Sequence, residues 1–284
     1  MDAVQQLGFD AMPTKLIKVT PAKLATWADC PRRYRMAYLD RPTPPRGGAF
    51  AHNTLGAVVH NALRALFDQP PARRTPAAAA ALVGTHRVGE GFADDRQAAR
   101  FRELAAGWVS DYVAEHLPDA AVTEPVGLER WVSAPVGTIV AEGRVDRIDL
   151  RGDELVIVDY KTGRHVLSTD DARGSQALAL YAVAARRTLR KPCYRVELHH
   201  LPSGTVASWE HTEESLARHR GRAEESAADI QLAVDTLAAG GDPDVLFPAN
   251  PGRQCSWCDF RRSCPAGQAA GPAAKPWELL ERRG

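Results

Sequence analysis

The sequence predicts an α/β fold: a mixed β-sheet flanked by helices, with helical segments placed ahead of it. Three observations carry that prediction. Apolar residues recur at helical spacing through roughly the first 116 positions, then switch to a period of two between residues 126 and 161. A helical stretch at 170–189 separates this group of strands from two later ones, an order that describes a mixed sheet flanked by helices. Gly152-Asp153 sits between two β-patterned runs and suits a two-residue hairpin.

The elements follow in order. Thr20-Pro21 reads as an N-cap and first-turn proline, with Leu24, Trp27, Tyr34 and Tyr38 continuing at helical spacing. "RPTPPRGG" is a loop, and Leu55 to Phe67 is a compact apolar helix. A Pro- and Arg-rich linker leads to an Ala-rich helical stretch, and Arg96 to His116 is another helix. Val126–Val132, Ile139–Leu150 and Leu155–Lys161 read as strands. Asp170 to Leu189 is helical, "CYRVELHHL" and "TVASWEH" are strands around Pro202-Ser203-Gly204, and Glu213 to Ala239 is a long helix. The expected organisation is one domain over residues 1–284. Its parts are N-terminal helices (13–70), a helical insertion (71–120), an α/β core (121–240) and a Cys-rich segment (241–270). The first ten or so residues read as a disordered tail, with Met12 as an alternative start.

Composition excludes several classes. The 284 residues carry 44% hydrophobic and 25% charged side chains with net charge +1, ordinary for a globular protein and without a global field for nucleic acid. Thirty of the 36 basic residues are Arg, which favours bidentate phosphate contacts but also follows from a genome biased toward Ala and Arg. No apolar run reaches the ~18–20 residues that span a bilayer. The N-terminus has no basic and apolar signal pattern, and five Cys is an odd number, so a reducing, cytoplasmic setting is expected. No G-x-x-x-x-G-K-[ST] occurs, so any helicase would be a partner on another chain.

The stretch "ELVIVDYKTGR" (Glu154 to Arg164) concentrates the chemistry. Period two puts Leu155, Ile157, Asp159 and Lys161 on one face. A hairpin through Gly152-Asp153 pairs Leu150 with Leu155, Ile148 with Ile157, and therefore Asp146 with Asp159. Directly opposed carboxylates ~4.5–5.5 Å apart at Cβ destabilise a sheet. A hard divalent cation, Mg²⁺ or Mn²⁺, removes that cost. The plain alternative is a salt-bridged strand end neutralised by Arg144 or Arg147. His60, on the buried side of "GAVVHNALRAL", is the best placed of the nine His to add a ligand, although a lone His there can be a satisfied core residue. Alternation sends His199 and His200 to opposite faces.

Cys255-x2-Cys258-x5-Cys264 supplies three soft ligands, and Cys30 a fourth from far upstream. Cys-x2-Cys alone could be half of a zinc site, but the second hairpin is missing. A lone distant Cys beside a three-Cys group suits a [4Fe–4S] cluster. Cys193 reads as a buried thiol. Arg32, Arg33 and Arg35 near Cys30, and Arg261 and Arg262 near Cys264, are candidate DNA contacts if the cysteines bring them together; otherwise they are solvated surface charge.

These residues resemble the PD-(D/E)xK nuclease superfamily, and more narrowly the RecB/AddB-type nuclease domains and the iron–sulfur nucleases of CRISPR adaptation. "GAVVHNAL" carries the family's His as His60, "EGRVDRID" its first acid as Asp146, and "IVDYKTG" its second acid and lysine as Asp159 and Lys161. "TWADCPRRYR" and "CSWCDFRRSC" resemble its split iron–sulfur motif. In "SQALALYA", Gln176 and Tyr181 are five apart where the family spaces them by four, about 140° around a helix instead of about 40°. Tyr181 therefore carries over better than Gln176. The resemblance implies a restriction-endonuclease-like fold and metal-dependent cleavage of DNA phosphodiesters in repair or recombination, most simply as an exonuclease on single strands or frayed ends. It implies His60, Asp146, Asp159 and the Tyr160 carbonyl as ligands of Mg²⁺ or Mn²⁺, Lys161 as the group orienting the nucleophile, and a [4Fe–4S] cluster on the four cysteines, with Zn²⁺ the alternative. A catalytically silent iron–sulfur or zinc DNA-binding module, partnering a helicase, is the rival expectation.

Overall fold

The computed structural model describes residues 16–86, 89–116 and 125–281. The expected disordered tail and Met12 lie outside them. In chain order, β1 (Ile17–Val19) leads into helices α1 (Pro21–Asp29), α2 (Pro31–Tyr38), α3 (Ala51–Phe67), α4 (Pro76–Thr85) and α5 (Asp95–His116). Strands β2 (Gly127–Val136), β3 (Ile139–Arg151) and β4 (Glu154–Lys161) follow. Then come α6 (Thr169–Gly174), α7 (Gln176–Leu189), β5 (Cys193–His200), β6 (Thr205–Glu210) and α8 (Glu213–Ala238). The tail carries α9 (Pro243–Leu246), α10 (Pro265–Ala269), α11 (Glu278–Glu281) and 3₁₀ turns at Arg253–Trp257 and Arg261–Ser263.

The mixed six-stranded sheet runs β1-β3-β4-β5-β6, with β2 also paired to β3. β3 is the spine. It pairs parallel with β1 over Ile139–Ala141, antiparallel with β4 over Arg147–Arg151, and antiparallel with β2 along most of its length. The helical segment α6–α7 carries the chain from β4 to its parallel neighbour β5.

β4 is buried on both faces, which is why its sequence is an unbroken apolar run. Leu155 and Ile157 join a core with α7 and α8, whereas Val156, Val158 and Tyr160 join a second core with α3, α4 and α5. Each such side chain stabilises the fold by about 1.5–3 kcal/mol relative to exposure. The restriction-endonuclease-like expectation agrees with this mixed, helix-flanked sheet.

Three details depart from the sequence reading. The single helix expected from residue 20 to Tyr38 is two, because Pro31 pushes Cys30 into extended backbone (φ −163°, ψ 109°). The helix expected over 170–189 is likewise divided: Ser175 leaves helical geometry and caps α7 through the Leu178 amide (3.3 Å). β1 is three residues long, too short to show a period, and was not anticipated. Among the described residues, no helix is long and apolar enough to cross a membrane.

Candidate active site

The β3–β4 hairpin turns at Gly152, whose φ of +61° favours glycine. Its register is the one the sequence implies: Leu150 pairs with Leu155, Ile148 with Ile157, and the paired ladder runs to Arg147 opposite Val158. One step further, Asp146 Oδ2 accepts a hydrogen bond from the Tyr160 amide at 2.9 Å. The Asp146 carboxylate is thereby tied to the backbone between Asp159 and Lys161.

α3 delivers His60 to the same place. Its Nδ1 lies 3.4 Å from Asp146 Oδ2 and 3.9 Å from Glu129 Oε1, and its Nε2 donates to the Tyr160 carbonyl at 3.1 Å. It is part-exposed and faces two carboxylates, unlike a histidine enclosed in an apolar core. Burial alone would lower its pKa. The hydrogen bonds to Asp146 and Glu129 outweigh that and push it up to about 10. Gly56, one helical turn before His60, allows the close approach: a Cβ there would stand 3.2 Å from Thr162 Oγ1.

Glu129 is the residue that the sequence reading missed. It lies on β2 between Leu128, paired with Arg147, and Arg130, paired with Val145, and so sits level with Asp146. Its φ is +45°, uncommon for a residue with a side chain. β3 shifts its alternation at this level, since Ala141 and Val145 below and Ile148 above all join the α7 core. Such irregularities re-aim side chains beside functional sites. A signal was available: Gly137-Thr138 turns β2 into β3 and sets a register in which 129 faces 146.

His60, Glu129 and Asp146 offer three ligand atoms that all lie within 4.8 Å of one another. Asp159 is not in that close group. Its carboxylate forms an ion pair with Lys161. Burial raises its pKa against the pull of Lys161. Arg144 Nε meets Glu129 Oε2 at 2.9 Å, so the acids do have a cationic partner. Arg147, the other neutraliser considered, is buried beneath α3 against Phe67 and pairs with Asp149 instead. An open cleft lined by His52, His60, Glu129, Arg144, Lys161 and Gly163 exposes the group to solvent. His200 steadies its floor through the Gly163 carbonyl at 2.6 Å, while His199 turns to Tyr112 and Glu197, so the two neighbours share no site.

Tyr181 also reaches this region. A Cβ on Gly143 of β3 would lie 2.6 Å from its ring, so Gly143 leaves room for it. Burial, then Asp159 and Asp146, push the Tyr181 pKa to about 12. Gln176 opens α7 and does not line the cleft.

The model of the PD-(D/E)XK nuclease superfamily matches residues 18–265. The chain belongs to that superfamily. Among solved structures, the crystal structure of SSO0001 is similar at 18% identity, covering 61% of this chain and 79% of that one, with a TM-score of 0.27, which carries no argument. No curated protein matches. Membership implies a metal-dependent nuclease acting on DNA. The donor set fits: one imidazole and two carboxylates converge, with His60 and Glu129 lining an open cleft, the chemistry a hard divalent cation takes.

The superfamily member carries a second assembly. Cys30, Cys255, Cys258 and Cys264 line one pocket together with Met36 and Phe260. Backbone amides of Asn250, Gly252 and Gly267 approach the sulfurs of Cys30, Cys255 and Cys264 at 3.5, 3.5 and 3.3 Å. Burial raises the Cys258 thiol pKa. Cys193 is buried elsewhere, in the α7 core, and its thiol is pushed up to about 12, as befits an inert thiol. The two basic runs do meet at the cysteine pocket, through Arg32, Arg33 and Arg261. Their guanidinium groups are engaged there, however. Arg32 pairs with Asp244 (3.1 Å), Arg33 with Asp29 (3.2 Å) and Arg35 with Asp40 (3.3 Å). Arg261 donates to the carbonyls of Gly267, Gln268 and Gly271, tying down the tail, while Arg262 is exposed.

Proposed function

We propose that this chain is a Mg²⁺- or Mn²⁺-dependent deoxyribonuclease that trims single-stranded or frayed DNA ends during repair or recombination. The observation that carries the reading is the convergence of His60, Glu129 and Asp146 at an open cleft that His60, Glu129 and Lys161 line, inside the span of the superfamily match. His60, Glu129, Asp146, Asp159 and the Tyr160 carbonyl are the groups that would hold the cation. A cation held there neutralises charge developing on the scissile phosphate.

The protein's own groups divide the remaining work. Lys161 orients the attacking water and donates to the phosphate oxygens as negative charge grows on them. Asp159, its ion-pair partner, fixes where the ammonium points. Asp146 keeps the Tyr160 peptide in register through its 2.9 Å bond, and His60 holds the carbonyl of the same peptide. Tyr181 closes the α7 side of the site. These 284 residues hold no P-loop, so in this reading a helicase would open duplex DNA.

The four cysteines hold a [4Fe–4S] cluster in this reading. Tetrahedral zinc at ~2.3 Å bonds would draw the sulfurs to roughly 3.8 Å from one another. A lone distant Cys joining a three-Cys group suits the larger cluster. Its role is a structural staple between the α1–α2 break and the tail. Free thiols suit a cytoplasmic setting.

The test is a time course on end-labelled single-stranded and duplex DNA, linear and circular, with Mg²⁺ or Mn²⁺. Loss of label from linear single strands is expected. Absence of cleavage with either ion, by protein whose fold is intact, rejects the nuclease reading. Anaerobically purified protein should be brown, with absorption near roughly 400 nm. Colourless protein with stoichiometric zinc overturns the cluster and leaves the nuclease reading standing.

A further inference from the structure

We infer that Trp131 is a stacking platform for one unpaired base at the rim of the nuclease cleft, with Arg144 beside it as the phosphate cation. The inference rests on the nuclease reading and extends it to how the substrate strand is gripped. Trp131 is 55% exposed and is the only aromatic among the large exposed hydrophobic side chains of the described residues. A single exposed apolar side chain is ordinary by itself; what singles out Trp131 is its place beside the cleft and its cross-strand partner.

Its position is set by the β2–β3 register. Trp131 pairs directly with Arg144, so their side chains share one face of the sheet, ~4.5–5.5 Å apart at Cβ. That face is opposite the α7 core, because the alternating neighbours Val132 and Ala134 fill that core. Arg144 lines the cleft and reaches Glu129, which stands beside His60 and Asp146. The indole is therefore one residue step outside the residues proposed to act on the phosphate.

Chemistry narrows the occupant to a nucleic-acid strand with a free base. An indole face offers stacking that every base accepts, and an adjacent guanidinium offers a phosphate partner. A base inside a duplex has no free face to offer. The next pair on that face is Ser133 with Glu142, whose carboxylate disfavours a further phosphate. The platform thus holds one base and does not continue as a track.

Binding of a fluorescent oligothymidylate and an equal-length abasic oligomer, measured by anisotropy in EDTA, tests this without cleavage. The parent should prefer the base-bearing strand by roughly 5- to 100-fold. Trp131→Ala and Trp131→Leu should bind both oligomers alike, near the parent's affinity for the abasic one, whereas Trp131→Tyr should keep most of the preference. Leu keeps apolar bulk without a flat ring, so it separates stacking from loss of surface packing. A preference retained in Trp131→Ala or Trp131→Leu, or missing in the parent, overturns the inference. Cleavage is not read in this assay. A parent that shows the base preference but cuts nothing with Mg²⁺ or Mn²⁺ rejects the nuclease reading alone.

Discussion

Asp146 and Arg147 are neighbours on β3, yet they belong to two charge clusters built on different principles. On the cleft side, Glu129, Asp146 and Asp159 are met by His60, Arg144 and Lys161. Deeper beneath α3 and α5, Arg147 grips Asp149 through Nε and Nη2 at 2.9 and 3.0 Å and donates to the Tyr160 and Tyr112 hydroxyls. Arg151 bridges Asp149 to Glu197, and His199 completes the chain between Glu197 and Tyr112. Hydrogen bonds from His199 and Arg151 overcome burial and hold the Glu197 carboxyl well below its usual range.

Acids and cations are matched in both clusters. What differs is the central cation. Arg144 is 67% exposed and Lys161 47%, on long side chains that water can re-solvate, whereas Arg147, at the centre of the second cluster, is 2% exposed, with Arg151 (43%) only at its edge. A matched pair with a mobile partner is a site that a stronger cation can enter. A matched pair with a buried partner is part of the frame. Tyr160 joins the two, since its hydroxyl is held by the frame and its carbonyl faces the site.

The comparison can be broken most severely at Asp146 or Lys161. Asp146→Ala and Lys161→Ala are each expected to slow DNA cleavage at least roughly a thousandfold, about 4 kcal/mol of barrier at ~1.4 per decade. Their melting temperatures should stay within a few degrees of the parent. Cleavage within a few-fold of the parent would assign the cleft cluster to structure.

Arg147→Met should do the converse. It leaves Asp149 buried without its main partner and should lower stability by about 3–5 kcal/mol in urea denaturation. A loss below about 1 kcal/mol would mean that Arg151 alone can serve Asp149, and that the frame is less rigid than its burial implies.

Histidines give a third way to sharpen the contrast. His60 is held charged by acids, but His211 packs on His219 with ring centroids 5.4 Å apart, and burial followed by the His219 and Arg218 charges push its pKa down to about 4. A base with a depressed pKa favours the unfolded state once that state takes up its proton. Stability is therefore complete above about 6.5 and declines as pH falls toward 4. His211→Gln should flatten the fall in denaturation midpoint over that window. An unchanged pH profile would show that other groups control acid sensitivity.

The smallest expected effect is that of Asp146→Asn in EDTA. Opposed acids alone would make this change stabilising. With His60 and Lys161 in place, removing the charge should instead lower stability, by about 1 kcal/mol or less. A rise in melting temperature would mean that carboxylate repulsion outweighs the cations.

The sequence by itself determined the parts that depend on local periodicity. Alternation and a Gly-Asp turn specified the β3–β4 register, and with it the meeting of Asp146 and the Asp159–Lys161 segment. Cys-x2-Cys spacing marked the tail, and an apolar helix marked where His60 would pack. Only the tertiary structure decided the rest. Glu129 entered the site through a positive φ and a shift in strand alternation, which no period-two reading contains. Arg147 and Arg144 are three residues apart, with the same chemistry, and only packing against α3 and α5 made one of them frame and left the other at the rim. Cys30 joined cysteines more than 200 positions away because Pro31 broke a helix where the tail returns. The physical reason is the same throughout. Local spacing fixes which way a side chain points along its own element, while burial and charge depend on what the rest of the chain brings against it.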